Sequence, residues 1–322
     1  MRRLAIATAA LLLALAGGIY AARGEIALAM MRRTAARTIF HDTIAALPDG
    51  LHVGLCGTGS PYPDPTRAGP CTAIVAGSRL FVVDAGRGSA DVLARMGFQG
   101  RRIEAVLLTH FHSDHIDGLG QLAEQRWVAW TAKTPLVVMG PSGLERVVRG
   151  VDEAHAWNGR YRTAHHGALV ANPTGFGMAA RPFAIGTGEQ AVVVLEEDGL
   201  RITAFAVNHE PVEPAVGYRF DYRGRSAVVS GDTARSRNLV RVARGADVLV
   251  HEVISPRVAG ALEETARAAG REDVTHVFRD PLSFHTTPWD AADEARGAGS
   301  DDCSKRRQSI ATVKLVSQMP PA

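Results

Sequence analysis

Three histidines and one aspartate occupy a single hexapeptide, His110-Phe111-His112-Ser113-Asp114-His115, directly after the apolar run at 103–109. The run reads as a buried strand, so its end delivers three imidazoles and a carboxylate to one spot. Such a set closes around one or two metal ions, because borderline metals such as zinc take nitrogen and carboxylate oxygen at about 2.0–2.2 Å. A lone histidine is usually a satisfied polar residue, but that reading does not explain three of the chain's 12 histidines in six positions. Gly118 then frees the backbone for a tight turn into a following helix.

The same arrangement returns twice. The apolar run 203–207 leads into Asn208-His209, and 227–230 leads into Gly231-Asp232-Thr233. His285 lies just before a helix that opens at Pro288, a residue suited to a first helical turn. Strands are expected at 51–56, 72–76, 80–84 and 105–109, with helices at 89–96 and 119–132. A second block follows, with strands at 191–195, 202–207, 215–220, 226–230 and 248–251 and helices at 259–269 and 288–298. Two strand-rich blocks, each with helices, predict two sheets packed face to face with helices outside. No fixed-period repeat or Pro/Gly/Ser linker divides the body. Cys56, Cys71 and Cys303 form no Cys-x-x-Cys pattern, so a metal must be held by histidine and carboxylate. Cys56 and Cys71 can pair in an oxidising compartment, although spacing does not establish it.

The net charge of +3 hides an asymmetry: residues 1–33 hold five arginines against Glu25, so the remainder carries −1. A nearly neutral body gives no global electrostatic reason for a nucleic-acid partner, although a local basic patch stays open. Residues 4–22 are uncharged and follow Met1-Arg2-Arg3. They read as a secretory signal or, at a rise of about 1.5 Å per residue, as a single membrane anchor. A buried helix of the fold is disfavoured by the flanking arginines. The expected organisation is a signal peptide or anchor at 1–31, a connector at 32–50 and a hydrolase domain at 51–322 with an atypical tail from 299. Both leading readings export the body, which would be periplasmic or anchored to the inner membrane facing the periplasm.

In order, His-x-His-x-Asp-His, His209, Gly231-Asp232-Thr233 and His285-Thr286-Thr287 resemble the metallo-β-lactamase superfamily, and within it the ribonuclease Z and arylsulfatase-like branch. The resemblance covers roughly residues 51–298. It implies an α/β fold, the four-layer αβ/βα sandwich, with a two-metal hydrolytic site at the edge of the sheets. Matched by position, it implies that His110, His112 and His209 hold one metal, that Asp114, His115 and His285 hold the second, and that Asp232 bridges. Asp84 matches an early aspartate that supports the site without ligating. His251-Glu252 resembles the family's His-Glu motif, with His251 expected to donate a proton to the leaving group and Glu252 to support the site. The alternative for His251 is a buried histidine bonded to Glu252 or to backbone. Two divalent ions, zinc first and manganese or iron as alternatives, would activate a shared water, and Asp114 would orient it or take its proton.

Gly54, Gly57 and Gly59 tempt a dinucleotide-loop reading, but their spacing is wrong and Pro61, Pro63 and Pro65 forbid the helix that must follow. The stretch resembles the family's opening Gly-Thr-Gly loop. Segment 143–178, with His155, His165, His166 and three aromatics, reads either as a substrate-facing insertion or as surface helix and loop. No clear equivalent of the long basic Gly/Pro-rich arm of tRNA-gripping ribonuclease Z enzymes is visible. With an exported body, the expected substrate is therefore a small-molecule phosphodiester or sulfate ester. A nucleic-acid partner is not expected, the membrane is a partner if the leader is uncleaved, and a homodimer stays open. The alternatives are a lactone or β-lactam hydrolase, a 3′-tRNA-processing endoribonuclease if the body is cytoplasmic, and a metal-binding protein without turnover. The charged tract 299–308 departs from the family pattern. Either 313–320 is a displaced last strand, with Gln318 where a histidine is common, or the tail is a reading-frame scar and that strand is missing.

Overall fold

A computed structural model describes residues 2–39, 41–299 and 314–317. It divides into two units, residues 1–43 and 44–322. The first is the helix α1 (Arg2–Ile39), long and apolar enough by length and composition to cross a membrane, with Leu4, Leu11, Leu13 and Leu15 exposed. It runs past residue 31 into the expected connector, because the alanines and arginines of 32–39 are good helix formers.

In the second unit, after the short α2 (Thr43–Ala46), come β1 (Leu51–Gly57), β2 (Cys71–Ala76), β3 (Arg79–Val83), α3 (Ser89–Arg95), β4 (Ile103–Leu107), α4 (Ser113–Ile116), α5 (Leu119–Glu124), β5 (Leu136–Pro141), α6 (Leu144–Val170) and β6 (Met178–Phe183). The six strands pair in sequence order, antiparallel from β1 to β3 and parallel from β3 to β6. The second half holds β7 (Ala191–Glu197), β8 (Leu200–Ala206), β9 (Val216–Tyr222), β10 (Arg225–Val229), α7 (Arg237–Val242), β11 (Val248–Val253), α8 (Pro256–Ala268), α9 (Glu272–Arg279), α10 (Pro288–Gly299) and β12 (Lys314–Ser317). These strands also pair in order, antiparallel from β7 to β10 and parallel from β10 to β12.

Successive residues of a strand point to opposite faces, and here both faces are covered. Phe81, Val83 and Leu107 of the first sheet pack against Ile202, Tyr218 and Phe220 of the second, with the Phe81 and Phe220 rings 6.2 Å apart. Val82 and Val106 face outward onto Leu93, Leu119, Leu122 and Leu144 of the helices. On the far side Phe205, Val228 and Leu249 meet Leu239 and Ala295. Doubly buried strands read as unbroken apolar runs, which is why β2, β3, β4 and β10 were legible, although β5 was not anticipated. The expected four-layer sandwich is the observed fold.

Segment 143–178 is mostly α6, anchored to the first sheet's outer helical layer by Leu144 and Val148 and kinked at Gly167 (φ 68°). The edge strand β6 was not anticipated, because it contains Arg181 and Pro182, tolerable only where one side is unpaired. Of the two readings of the tail, a displaced strand is what the described residues show: β12 runs parallel to β11 in the register Val250↔Lys314 to Val253↔Ser317. Gln318, Cys303 and the tract 300–313 lie outside the described residues. Cys56 and Cys71, on neighbouring β1 and β2, form a disulfide.

Candidate metal centre

The hexapeptide begins where β4 ends, and a buried network built on Asp84 fixes it. Asp84 Oδ1 accepts the Thr109 backbone N–H at 2.8 Å, and Oδ2 accepts the Thr109 hydroxyl at 2.9 Å. With that proton given to the carboxylate, the hydroxyl oxygen can accept Nδ1–H of His110, 3.0 Å away. Asp84 Oδ2 also takes Nδ1–H of His115 at 2.8 Å. His209 donates Nδ1–H to the Phe284 carbonyl at 3.0 Å, and His285 donates to Glu252 Oε1 at 3.1 Å. In all four rings the Nδ1 proton has an acceptor, which selects the tautomer whose Nε2 lone pair is free for a metal. His112 meets this set through Nδ1, 2.9 Å from Nε2 of His110.

Among the described residues, ligand-type atoms gather in three groups, each within 4.8 Å: His110, His112 and His209; His110, His115 and Asp232; His209, Asp232 and His285. Asp232 belongs to two of them. Nε2 of His115 and of His209 are buried without a hydrogen-bond partner, although the His115 atom lies 3.3 Å from Asp232 Oδ2. Orphaned buried nitrogens are costly in a dry site and fit a group that ligates them. Asp114 lies at the rim, its Oδ2 3.7 Å from His115 Nε2 and outside the three groups. Thus six of the seven expected ligands converge, and the seventh flanks them.

Electrostatics agree for two of the four rings. Burial, reinforced by the His115 charge, keeps His110 well below the usual imidazole range, and burial takes His209 down to about 4, so both are neutral and ready to ligate. Burial opposes charge on His115, but Asp232 and Asp84 outweigh it and hold its pKa well above the ordinary value, so in the metal-free protein its Nε2 carries a proton that a metal would displace. For Asp232, burial is likewise overcome by His115, and its carboxyl stays ionised.

Glu252 ties the later loops together, its Oε1 accepting from Thr233 N, Thr286 N and His285 Nδ1, each at 3.1 Å. His251 is the neighbouring residue of β11 and points the other way. Its Nδ1 contacts the Glu252 carbonyl at 2.7 Å and its Nε2 contacts Glu294 Oε2 at 3.1 Å. Both ring nitrogens are thus engaged within the protein in this arrangement, the geometry of the buried alternative. Glu294 of α10, which also accepts from Ser236 N at 2.6 Å, was not found from sequence; a buried carboxylate inside an ordinary helical run gives no periodic signal. Gly86 was also undervalued. A Cβ there would sit 2.4 Å from the Asp114 carbonyl, so only glycine lets the Asp84 turn lie against the hexapeptide.

Residues 64–294 match the family model described as the metallo-beta-lactamase superfamily. The chain is 37% identical over 251 residues to ribonuclease Z of Mycolicibacterium gilvum, covering 77% of this chain and 81% of that protein. It is 37% identical over 256 residues to ribonuclease Z of Mycobacterium marinum, covering 77% and 83%. The fold is similar to that of human tRNase Z, short form, at a TM-score of 0.54 and 22% identity over 76% of this chain and 88% of that one. These relatives are ribonucleases, and they overturn the expectation of a small-molecule ester substrate with no nucleic-acid partner. That expectation came from the apolar leader and the charge of the whole body. Neither reports on which groups line the cleft.

Proposed function

The chain belongs to the metallo-β-lactamase superfamily, on its ribonuclease Z branch, and from that premise we propose that it cleaves RNA phosphodiesters at the 3′ side of precursor tRNA. That it is a metal-dependent hydrolase follows from the family and the His/Asp cluster. The observation that carries the RNA reading is 37% identity to ribonuclease Z across 81% of that enzyme's length.

Two divalent ions held by His110, His112, His209, Asp114, His115, His285 and Asp232 would supply an activated hydroxide and a clamp for phosphoryl oxygens. The nitrogen and carboxylate donor set suits zinc. The chain's own residues do the rest. Asp84 and Thr109 orient His110 and His115, Glu252 orients His285, and the Asp114 carboxylate at the rim is available to accept the nucleophile's proton.

The test is a panel of precursor tRNA with a 3′ trailer, an aryl phosphodiester, an aryl sulfate, a lactone and a β-lactam, each offered to metal-loaded protein. Trailer removal that stops with chelator and returns with metal is the expected result. Turnover confined to sulfate, lactone or β-lactam sinks the RNA reading, and full metal content with no turnover at all leaves a metal-binding protein.

Residues 1–31 are proposed as a membrane anchor, and the RNA reading requires the body on the cytoplasmic side. Arg23, Arg32, Arg33 and Arg37 follow the apolar stretch, against Arg2 and Arg3 before it, a bias that retains the following segment in the cytoplasm. The Cys56–Cys71 bridge weighs the other way, since disulfides are uncommon there. A fluorescent or enzymatic reporter fused after residue 40 is expected to report from the cytoplasm. An exported reporter removes precursor tRNA as the substrate and leaves the hydrolase assignment standing.

A further inference from the structure

An open cleft of roughly 320 Å³, lined by Arg67, Arg87 and Arg95 among others, adjoins the backbone of the metal-centre loop. Its wall is sewn to the hexapeptide: Ala85 N–H donates to the His115 carbonyl at 2.9 Å, and Gly69 N–H donates to the Arg87 carbonyl at 2.9 Å. Arg87 thus stands two residues from a direct backbone partner of the site. Gly88, Asp91, Val92 and Arg95 line the same cleft at the three- and four-residue spacings of one helix face.

The cleft also holds two carboxylates, and both are engaged internally. Asp64 accepts from Thr66 N at 2.7 Å and from Arg67 Nε at 2.7 Å. Asp91 accepts from Gln121 Nε2 at 3.0 Å and Gln125 Nε2 at 3.2 Å. Arg87 and Arg95 are exposed, and among the described residues neither has a carboxylate partner. Three arginines against two carboxylates leave the cleft with a net charge of +1, which makes it a receptor for anions, and the planar guanidinium forks match phosphate oxygens.

We infer that Arg87 and Arg95 bind backbone phosphates of the RNA next to the scissile linkage, an inference that rests on the RNA reading above. The near-neutral charge of the body is no obstacle, because recognition of a phosphodiester chain depends on local cations that release its counterions.

The experiment compares the metal-loaded full chain with the double variant R87Q/R95Q, and with R201Q, a surface arginine paired with Glu196, as control. The probes are an RNA stem with a 3′ overhang and an aryl phosphodiester, at 20 to 300 mM salt (roughly, a span chosen to resolve a salt slope). For RNA, kcat/KM of the double variant is expected to fall on the order of tenfold or more, through KM, and its log–log salt slope to flatten by about 1.5. The loss on the aryl phosphodiester should be several-fold smaller, and R201Q should leave the RNA salt slope as in wild type. An unchanged slope, or equal losses on both probes, overturns the inference. If the wild-type protein cleaves no RNA, the RNA reading fails separately and anisotropy of the labelled stem decides the anion site: equal affinity and slope for both proteins rejects it, and weaker, flatter binding by the double variant supports it.

Discussion

Asp232→Ala is expected to hold no more than one metal ion per chain and to hydrolyse phosphodiesters on the order of a thousandfold more slowly, the several kcal/mol of transition-state stabilisation that a metal clamp supplies. Asp232 is the one carboxylate shared by two of the three donor groups, and it approaches both His115 (3.3 Å) and His285 (4.0 Å). Without it, the donors left in those two groups are all imidazoles and Asp114 stands at the rim, so no carboxylate remains between the two positions to offset the repulsion of two dications. The apo protein should suffer as well. His115 would lose one of the two carboxylates that hold its charge, and breaking a buried ion pair costs about 3–5 kcal/mol. Elemental analysis after gel filtration, with kcat/KM on the aryl phosphodiester, checks both parts. Two metals per chain with wild-type turnover would sink the bridging role.

The parts of this site that sequence exposes are those where one short segment carries several donors, or where an apolar run ends in one. Ile103–Leu107 followed by His110, His112 and His115 is of the first kind; His209 and Asp232 are of the second. His285 follows no strand and was picked out by its place just before the last helix. The supporting groups were less legible, because their roles come from distant pairings. Thr109 matters because its hydroxyl lies between Asp84 and His110, and Phe284 matters through its carbonyl. The same limit separates His251 from Glu252. A resemblance names the pair, but the pleat of β11 decides that Glu252 meets His285 while His251 meets Glu294. Charge was misleading for a related reason: a sum over the body does not show that the cleft gathers three arginines against two carboxylates.

Asp84→Asn separates position from chemistry at the base of the network, and it is expected to lower metal affinity 10- to 100-fold while the protein still folds. Asp84 occupies a left-handed backbone conformation (φ 59°), which asparagine tolerates nearly as well as aspartate. The amide oxygen can still accept the Thr109 N–H, so the turn keeps its anchor. The amide nitrogen then faces Nδ1 of His115, where two donors would collide. Relief comes only if His115 gives up its Nδ1 proton and keeps the one on Nε2, the nitrogen turned toward Asp232. That tautomer cannot ligate. Asp84→Ala goes further, stripping Thr109 and His115 of their acceptor together at a stability cost of about 1–3 kcal/mol for each unsatisfied buried group. Chelator competition with zinc and thermal melts in chelator read the two effects apart. Wild-type zinc affinity in the asparagine variant would show that Asp84 serves the fold alone and does not set the His115 tautomer.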